Sequence, residues 1–151
     1  MATVYSDVAT IENAVDPSTQ MAPGQVRGKV RCVSFKYTAA SLASASTIRV
    51  CQLYRGDQVK LGGSWIGSED NLGSGVTLAM GDDDDSTAAD PDRYLEATAL
   101  ATAEIIQLND AVAVLSKVPY VIAKDGAWLT ILTNDEITGD IRGEIYIANN
   151  S

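Results

Sequence analysis

The chain has 151 residues, enough for one ordinary domain, and carries 20 acidic against 11 basic side chains for a formal net charge of −9. So negative a chain argues against direct nucleic-acid binding and against docking on an anionic membrane. The absence of any histidine excludes a Ser-His-Asp triad, a Cys-His dyad and the usual His-containing zinc sites.

Residues 1–26, containing Pro17, Pro23 and Gly24, have no sustained apolar period and read as an extended arm. The opening "MATVYSDVATIENAV" lacks the basic start and long apolar run of a secretory signal. No later stretch approaches the roughly 18 apolar residues of a membrane span. The chain therefore reads as soluble and made in the cytosol. The globular body, residues 27–151, is expected to begin near Arg27.

From there the pattern is that of β structure. "VRCVSFKYT" places Val33, Phe35 and Tyr37 on one face at period two, and "SLASAS" interrupts it with small residues. "TIRVCQLYRG" alternates Ile48, Val50, Gln52 and Tyr54 against Arg49, Cys51, Leu53 and Arg55. "QVKLGGSWI" follows as a short strand in which Gly62-Gly63 suggests a bulge or a bend. In "VTLAM", Val76, Leu78 and Met80 share a face, and Gly81 is expected to end the strand.

The segment "MGDDDDSTAADPDRYL" then offers an acidic loop and, at Asp90-Pro91, the cap and first position of one helical turn, with Asp92 and Glu96 near the positive end of its dipole. The second half of "ATALATAEIIQL" reads as a strand, and Pro119 confines "AVAVLSKVPYVIA" to an edge or a break. "AWLTILT" and "GDIRGEIYIAN" close the chain as strands, the last with Ile141, Ile145 and Ile147 inward and Arg142, Glu144 and Tyr146 outward. About eight short strands with turn residues between them, an arm and one helical turn predict an all-β sandwich of the jelly-roll kind.

Few residues carry chemistry. Asp82, Asp83, Asp84 and Asp85 are the one candidate for a metal, a calcium ion, which takes six to eight oxygens from carboxylates at alternate positions of a loop with a glycine turn. This run has neither the alternation nor a matching bidentate glutamate, so it reads first as a solvated loop. A glycosidase needs paired carboxylates in an aromatic-lined cleft, and the nine aromatic residues do not cluster beside acids. The glycines of "LGGSWIGSEDNLGSG" lack the following Lys-Ser/Thr of a phosphate loop. No enzyme and no cofactor emerge. Cys32 and Cys51, the only cysteines, lie on neighbouring predicted strands; they read as two small buried thiols, with a disulfide as the alternative.

Two features suggest an interface. Trp65 reads as a core or interface anchor. Arg27, Lys29 and Arg31 recur at period two, either as a solvated strand edge or as a basic strip that docks on an acidic protein surface. Charge is also segregated: residues 1–60 carry seven bases and four acids, residues 61–151 four bases and sixteen acids.

The order of features has a further meaning. "GKVRCVSFKYT", "AASLASAST", "IRVCQLYRGDQV", "LGGSWIG", "GVTLAMGDDDD", "DPDRYLEATALATA" and "GEIYIANN", spanning about residues 27–148, resemble the small structural proteins encoded beside the major capsid protein in many tailed bacteriophages. The resemblance implies a cement, or decoration, protein: a jelly-roll homo-oligomer, dimer or trimer, made in the bacterial cytoplasm and seated on the outer surface of the capsid, where it bridges neighbouring capsomers. It implies no catalytic residues, and it would make Arg27, Lys29 and Arg31 capsid-binding. The competing readings are a tail or head–tail joining protein of the virion and a calcium-dependent carbohydrate-binding jelly-roll module.

Overall fold

The structure is a computed structural model that describes residues 1–12, 30–84, 90–100, 103–108, 117, 119–123 and 125–149. Those residues form nine strands and one short helix: β1 (Thr3–Tyr5), α1 (Asp7–Glu12), β2 (Val30–Leu42), β3 (Thr47–Leu53), β4 (Asp57–Ser68), β5 (Thr77–Asp82), β6 (Asp90–Ala99), β7 (Glu104–Gln107), β8 (Ala127–Thr133) and β9 (Ile137–Asn149). They make a sandwich of a five-stranded sheet, β1-β3-β8-β5-β6, and a four-stranded sheet, β2-β9-β4-β7.

The pairing has a simple logic. β2 pairs with β9, β3 with β8, β4 with β7 and β5 with β6, all antiparallel. The chain from β2 to β9 is thus one long hairpin with its tip between β5 and β6. The hairpin is wound so that β4 also meets β9 and β5 also meets β8. This winding is the jelly-roll topology. From β2 onward consecutive strands lie in opposite sheets, except across the β5–β6 tip, so both inner faces are filled by residues distant in sequence.

Period-two alternation decides which residues line that interior. Val33 and Phe35 on β2, Ile48 and Val50 on β3, Leu78 and Met80 on β5, Leu129 and Ile131 on β8, and Ile141, Ile145 and Ile147 on β9 are all buried between the sheets. Burying each such side chain contributes about 1.5–3 kcal/mol. Of the bulge or bend expected at Gly62-Gly63, the strand has the bulge. The β4–β9 register shifts between Lys60 and Trp65, and Gly63 adopts φ +82°, a conformation open to glycine without strain.

Several expectations are corrected. The first twelve residues are not an extended arm. β1 pairs in parallel with β3, and α1 lays Val8 and Ala9 against the body, both buried. Ser6 caps this helix, its hydroxyl accepting the Ala9 N–H at 3.2 Å while donating to the Val50 carbonyl. Asp7 Oδ1 accepts the Lys36 N–H of edge strand β2 at 2.9 Å, occupying a donor that a bare edge would expose. A three-residue strand and a six-residue helix are too short for a sequence period to register. Residues 13–26 of the proposed arm lie outside the described residues.

The helical turn at Asp90-Pro91 is also overturned, because the segment is strand β6. β6 is the outer strand of its sheet, where a proline's missing N–H is tolerated. Nor does Gly81 end β5. An added Cβ there would lie 1.9 Å from the Asp90 carbonyl oxygen, so glycine is what permits β6 to approach this closely. The two cysteines sit on consecutive strands, β2 and β3, that belong to different sheets. Cys51 is buried in the five-stranded sheet and Cys32 is half-buried in the four-stranded one, and no disulfide joins them. Of "AVAVLSKVPYVIA", residues 111–116 and 118 lie outside the described residues, and residues 119–123 form no strand.

Truncation tests the first correction. Removing residues 1–12 strips Val8 from the core and Tyr5 from its edge contact with Trp128, and lowers unfolding stability by about 2–4 kcal/mol. Chemical denaturation of the truncated chain against the full one measures this.

Candidate functional site

The aspartate run joins β5 to its neighbours, and the alternation of a strand end aims its members in different directions. Asp82 is buried and accepts the Arg93 Nε–H at 2.7 Å. Asp83 accepts the Trp128 N–H through Oδ1 and returns its own N–H to the Trp128 carbonyl at 3.2 Å. Asp84 is buried and accepts both the Tyr120 hydroxyl at 2.9 Å and the Ala123 N–H at 3.0 Å. The Arg93 guanidinium lies 3.6 Å from the centre of the Tyr120 ring, and Lys117 reaches Asp90 and Asp92. The run is therefore a polar knot that ties β5, β6 and β8 to residues 120–123, and the solvated-loop reading fails for Asp82 and Asp84. Asp85 lies outside the described residues.

Burial raises the Asp82 pKa, against the lowering effect of Arg93. The Tyr94 hydroxyl, buried in the same knot, is raised well above its usual value by desolvation and then by the charge of Asp82. Calcium would need these carboxylates to converge, whereas protein donors occupy them. No group of three or more His, Cys, Asp or Glu among the described residues could hold a metal ion.

Arg31 is not available to a basic strip either. Arg31 points inward, with its side chain only 2% exposed, and its Nη2 donates to Asp57 Oδ2 at 3.0 Å and to the Gln52 carbonyl at 2.6 Å. The Tyr54 ring lies 5.1 Å away. Asp57 also accepts the Tyr54 N–H at 2.9 Å and Asn149 Nδ2 at 2.7 Å. The signal was present in the sequence: Arg31 shares the parity of Val33 and Phe35, so an inward strand face carries it inward too. As a capsid-binding candidate Arg31 is corrected. Arg27 and Lys29 lie outside the described residues.

Two outer faces remain. On the five-stranded sheet, Tyr5 meets Trp128 edge to face at 5.7 Å, and Arg49 stacks over both rings at 5.6 and 5.2 Å. Beside this stack runs a polar trough of about 280 Å³ lined by Thr3, Thr47, Arg49, Asp83 and Thr130 among others. Its main charges face one another, with Arg49 Nη2 3.7 Å from Asp83 Oδ2.

The outer face of the four-stranded sheet is different. Cross-strand register aligns Lys36, Arg142, Gly67 and Ile105 in one row, Ser34, Glu144, Trp65 and Gln107 in the next, and Cys32, Tyr146 and Lys60 in a third. Trp65 Nε1 donates to Glu144 Oε2 at 3.2 Å. Lys36 pairs with Asp140 at 2.8 Å, and Arg142 reaches both Asp140 and Glu69. The Lys36 hydrogen bond, followed by that of Thr38, lowers the Asp140 pKa to about 2. A depression of about 150 Å³ opens between Trp65, Gly67, Ile105 and Arg142. Trp65 thus lies on the surface and not in the core. Sequence reasoning had the outward parity of Arg142, Glu144 and Tyr146 but missed this surface, because its rows combine residues as distant in sequence as Cys32 and Tyr146.

No protein-family model matches the sequence, and no curated protein matches it. Among solved structures, the chain is similar to one in "Capsid of Ralstonia phage GP4", with a TM-score of 0.65, 15% identity and 99% of each chain covered. At that identity the likeness establishes a shared fold over the full length.

Two measurements test the electrostatics. Asp57→Ala removes the carboxylate 3.0 Å from the buried Arg31 guanidinium and costs about 3–5 kcal/mol in unfolding stability. Asp140 has a depressed pKa, so its contribution to stability is present above its ordinary value of 3.8 and is lost as pH falls through about 2. The deficit of Asp140→Asn relative to the wild type, followed by thermal melts across that range, is small at neutral pH and disappears in the acid.

Proposed function

We propose that the chain is a structural protein of a tailed-phage virion, a cement protein that binds the outside of the assembled head and bridges neighbouring copies of the major capsid protein. The observation that carries this reading is the full-length likeness to a chain of a phage capsid. Since 99% of each chain is covered, the two chains are of about the same length and share the fold throughout. The resemblance of "GVTLAMGDDDD" and its neighbours to small capsid-associated proteins points the same way.

The physics suits the role. A protein that binds the assembled lattice and not its separate subunits stabilises the lattice by mass action. A wound antiparallel sandwich, knotted by buried ion pairs at Asp57 and Asp82, is stiff enough to carry load between two capsomers. A net charge of −9 keeps decorated particles apart in solution. The reading involves no catalytic step and no cofactor. It places the protein on the outer surface of a virion assembled in the bacterial cytoplasm. The calcium-dependent glycan module loses support, because Asp82 and Asp84 are engaged within the fold.

Heads assembled without this chain, to which the purified protein is added back, test the proposal. Saturable co-sedimentation in fixed proportion to the major capsid protein, with genome release moved to higher temperature, is the expected outcome. Absence of binding to heads would overturn it. Labelling confined to the tail or its vertex would assign the chain to a tail or joining role instead.

A further inference from the structure

We propose that residues 1–12 are a detachable strap over a strand-addition site on β3, a site that an extended segment of another polypeptide takes when the strap opens. The strap closes one side of the sandwich by fastening to both sheets. Along β3 it runs parallel, with Thr3, Val4 and Tyr5 opposite Thr47, Ile48 and Arg49. The Ala2 carbonyl accepts the Thr47 N–H at 2.8 Å, and the Ser6 N–H donates to the Arg49 carbonyl at 2.7 Å. The Ser46 hydroxyl accepts the Ala2 N–H at 3.0 Å, and the Ser6 hydroxyl donates to the Val50 carbonyl. Immediately after, the chain crosses to the other sheet, where Asp7 takes the Lys36 N–H of edge strand β2 at 2.9 Å.

The strap depends wholly on the body beneath it. A three-residue parallel pair and a six-residue helix are each too short to persist unsupported. Its apolar anchorage is small: Val8 and Ala9 are buried, and Ala2 and Val4 pack partly against the core. It therefore detaches as one unit at a lower free energy than unfolding of the sandwich, the behaviour of a local unfolding unit. Opening frees the Thr47 N–H and the Arg49 and Val50 carbonyls on β3, together with the Lys36 N–H on β2. It also empties the place of Val8 on α1, which packs on both β2 and β3. Unpaired main-chain groups along a strand edge are a template for another extended chain. Main-chain hydrogen bonds would hold the newcomer parallel to β3. The vacated place of Val8 would select an aliphatic residue five positions after its first paired residue.

The inference is independent of the capsid reading. Hydrogen exchange of the full chain tests it, with a fluorescently labelled peptide of sequence MATVYSDVATIE as the probe. The Ser6, Thr10, Lys36 and Thr47 amides are expected to exchange together, about tenfold or more ahead of those of β9. Asp7 is exposed, so Asp7→Ala spares the fold, as matching circular dichroism would verify. It should speed all four amides about tenfold, the scale of one hydrogen bond to a charged group, and leave β9 unchanged. The peptide should bind saturably, and about tenfold more tightly to Asp7→Ala than to the wild type. The same peptide carrying Val8→Asp should not bind. Exchange of the four amides only in step with β9 overturns the inference, because the strap would then open only with the whole fold. Acceleration of Lys36 with Thr47 unchanged overturns it too, since the two attachments would not be one unit. A strap that opens as expected while neither protein takes up the peptide leaves no strand-addition site, and the inference fails.

Discussion

The buried ion pair between Arg31 and Asp57 holds the open end of the wound hairpin together. Asp57 begins β4, yet its carboxylate gathers Arg31 from β2, the Tyr54 N–H from the β3–β4 turn and Asn149 from the end of β9. Its backbone carbonyl also accepts the Ile122 N–H at 2.9 Å. Burying two charges is costly, and attraction between them offsets that cost only when the remaining lone pairs are satisfied. Here both carboxylate oxygens have donors. The pair sets where the strands begin relative to one another more than it adds to net stability, since it can be satisfied in only one arrangement of those segments.

A second polar knot lies where β5 and β6 meet, near the tip of the hairpin. Asp82 with Arg93, and Asp84 with Tyr120 and Ala123, fasten the β5–β6 pair to residues 120–123. Between the two knots the interior is almost wholly apolar, with Ile141, Ile145 and Ile147 of β9 facing the aliphatic residues of β3 and β8. Apolar burial supplies the driving force without direction, and the two charged clusters supply direction.

The surface is as differentiated as the interior. The five-stranded sheet spends its outward aromatics on itself, stacking Tyr5, Arg49 and Trp128 into a closed group. The four-stranded sheet keeps Val30, Ile105 and Tyr146 exposed within a charge-balanced field. Among the described residues, three of the five exposed large apolar side chains stand on this face, beside the paired charges of Lys36, Asp140 and Arg142.

The sequence by itself determined the β class, most of the strands and their inward faces. Alternation of the kind seen in Ile141, Ile145 and Ile147 is local, and burial on one side of a strand follows from it directly. It also carried the bulge at Gly63, since a glycine pair within a strand has few other uses. Only the tertiary structure decided the fate of the charged residues. Asp82 and Asp84 look solvated in a run of four, and Arg31 looks like part of a basic strip, until partners from distant strands draw them inward. The strand β1, the helix α1 and the strand nature of Asp90–Ala99 were equally illegible, because short elements and edge strands are stabilised by what they pack against. Local pattern settles which way a side chain points along its own strand, whereas the partner that makes burying a charge tolerable comes from elsewhere in the chain, and only the wound topology brings it there.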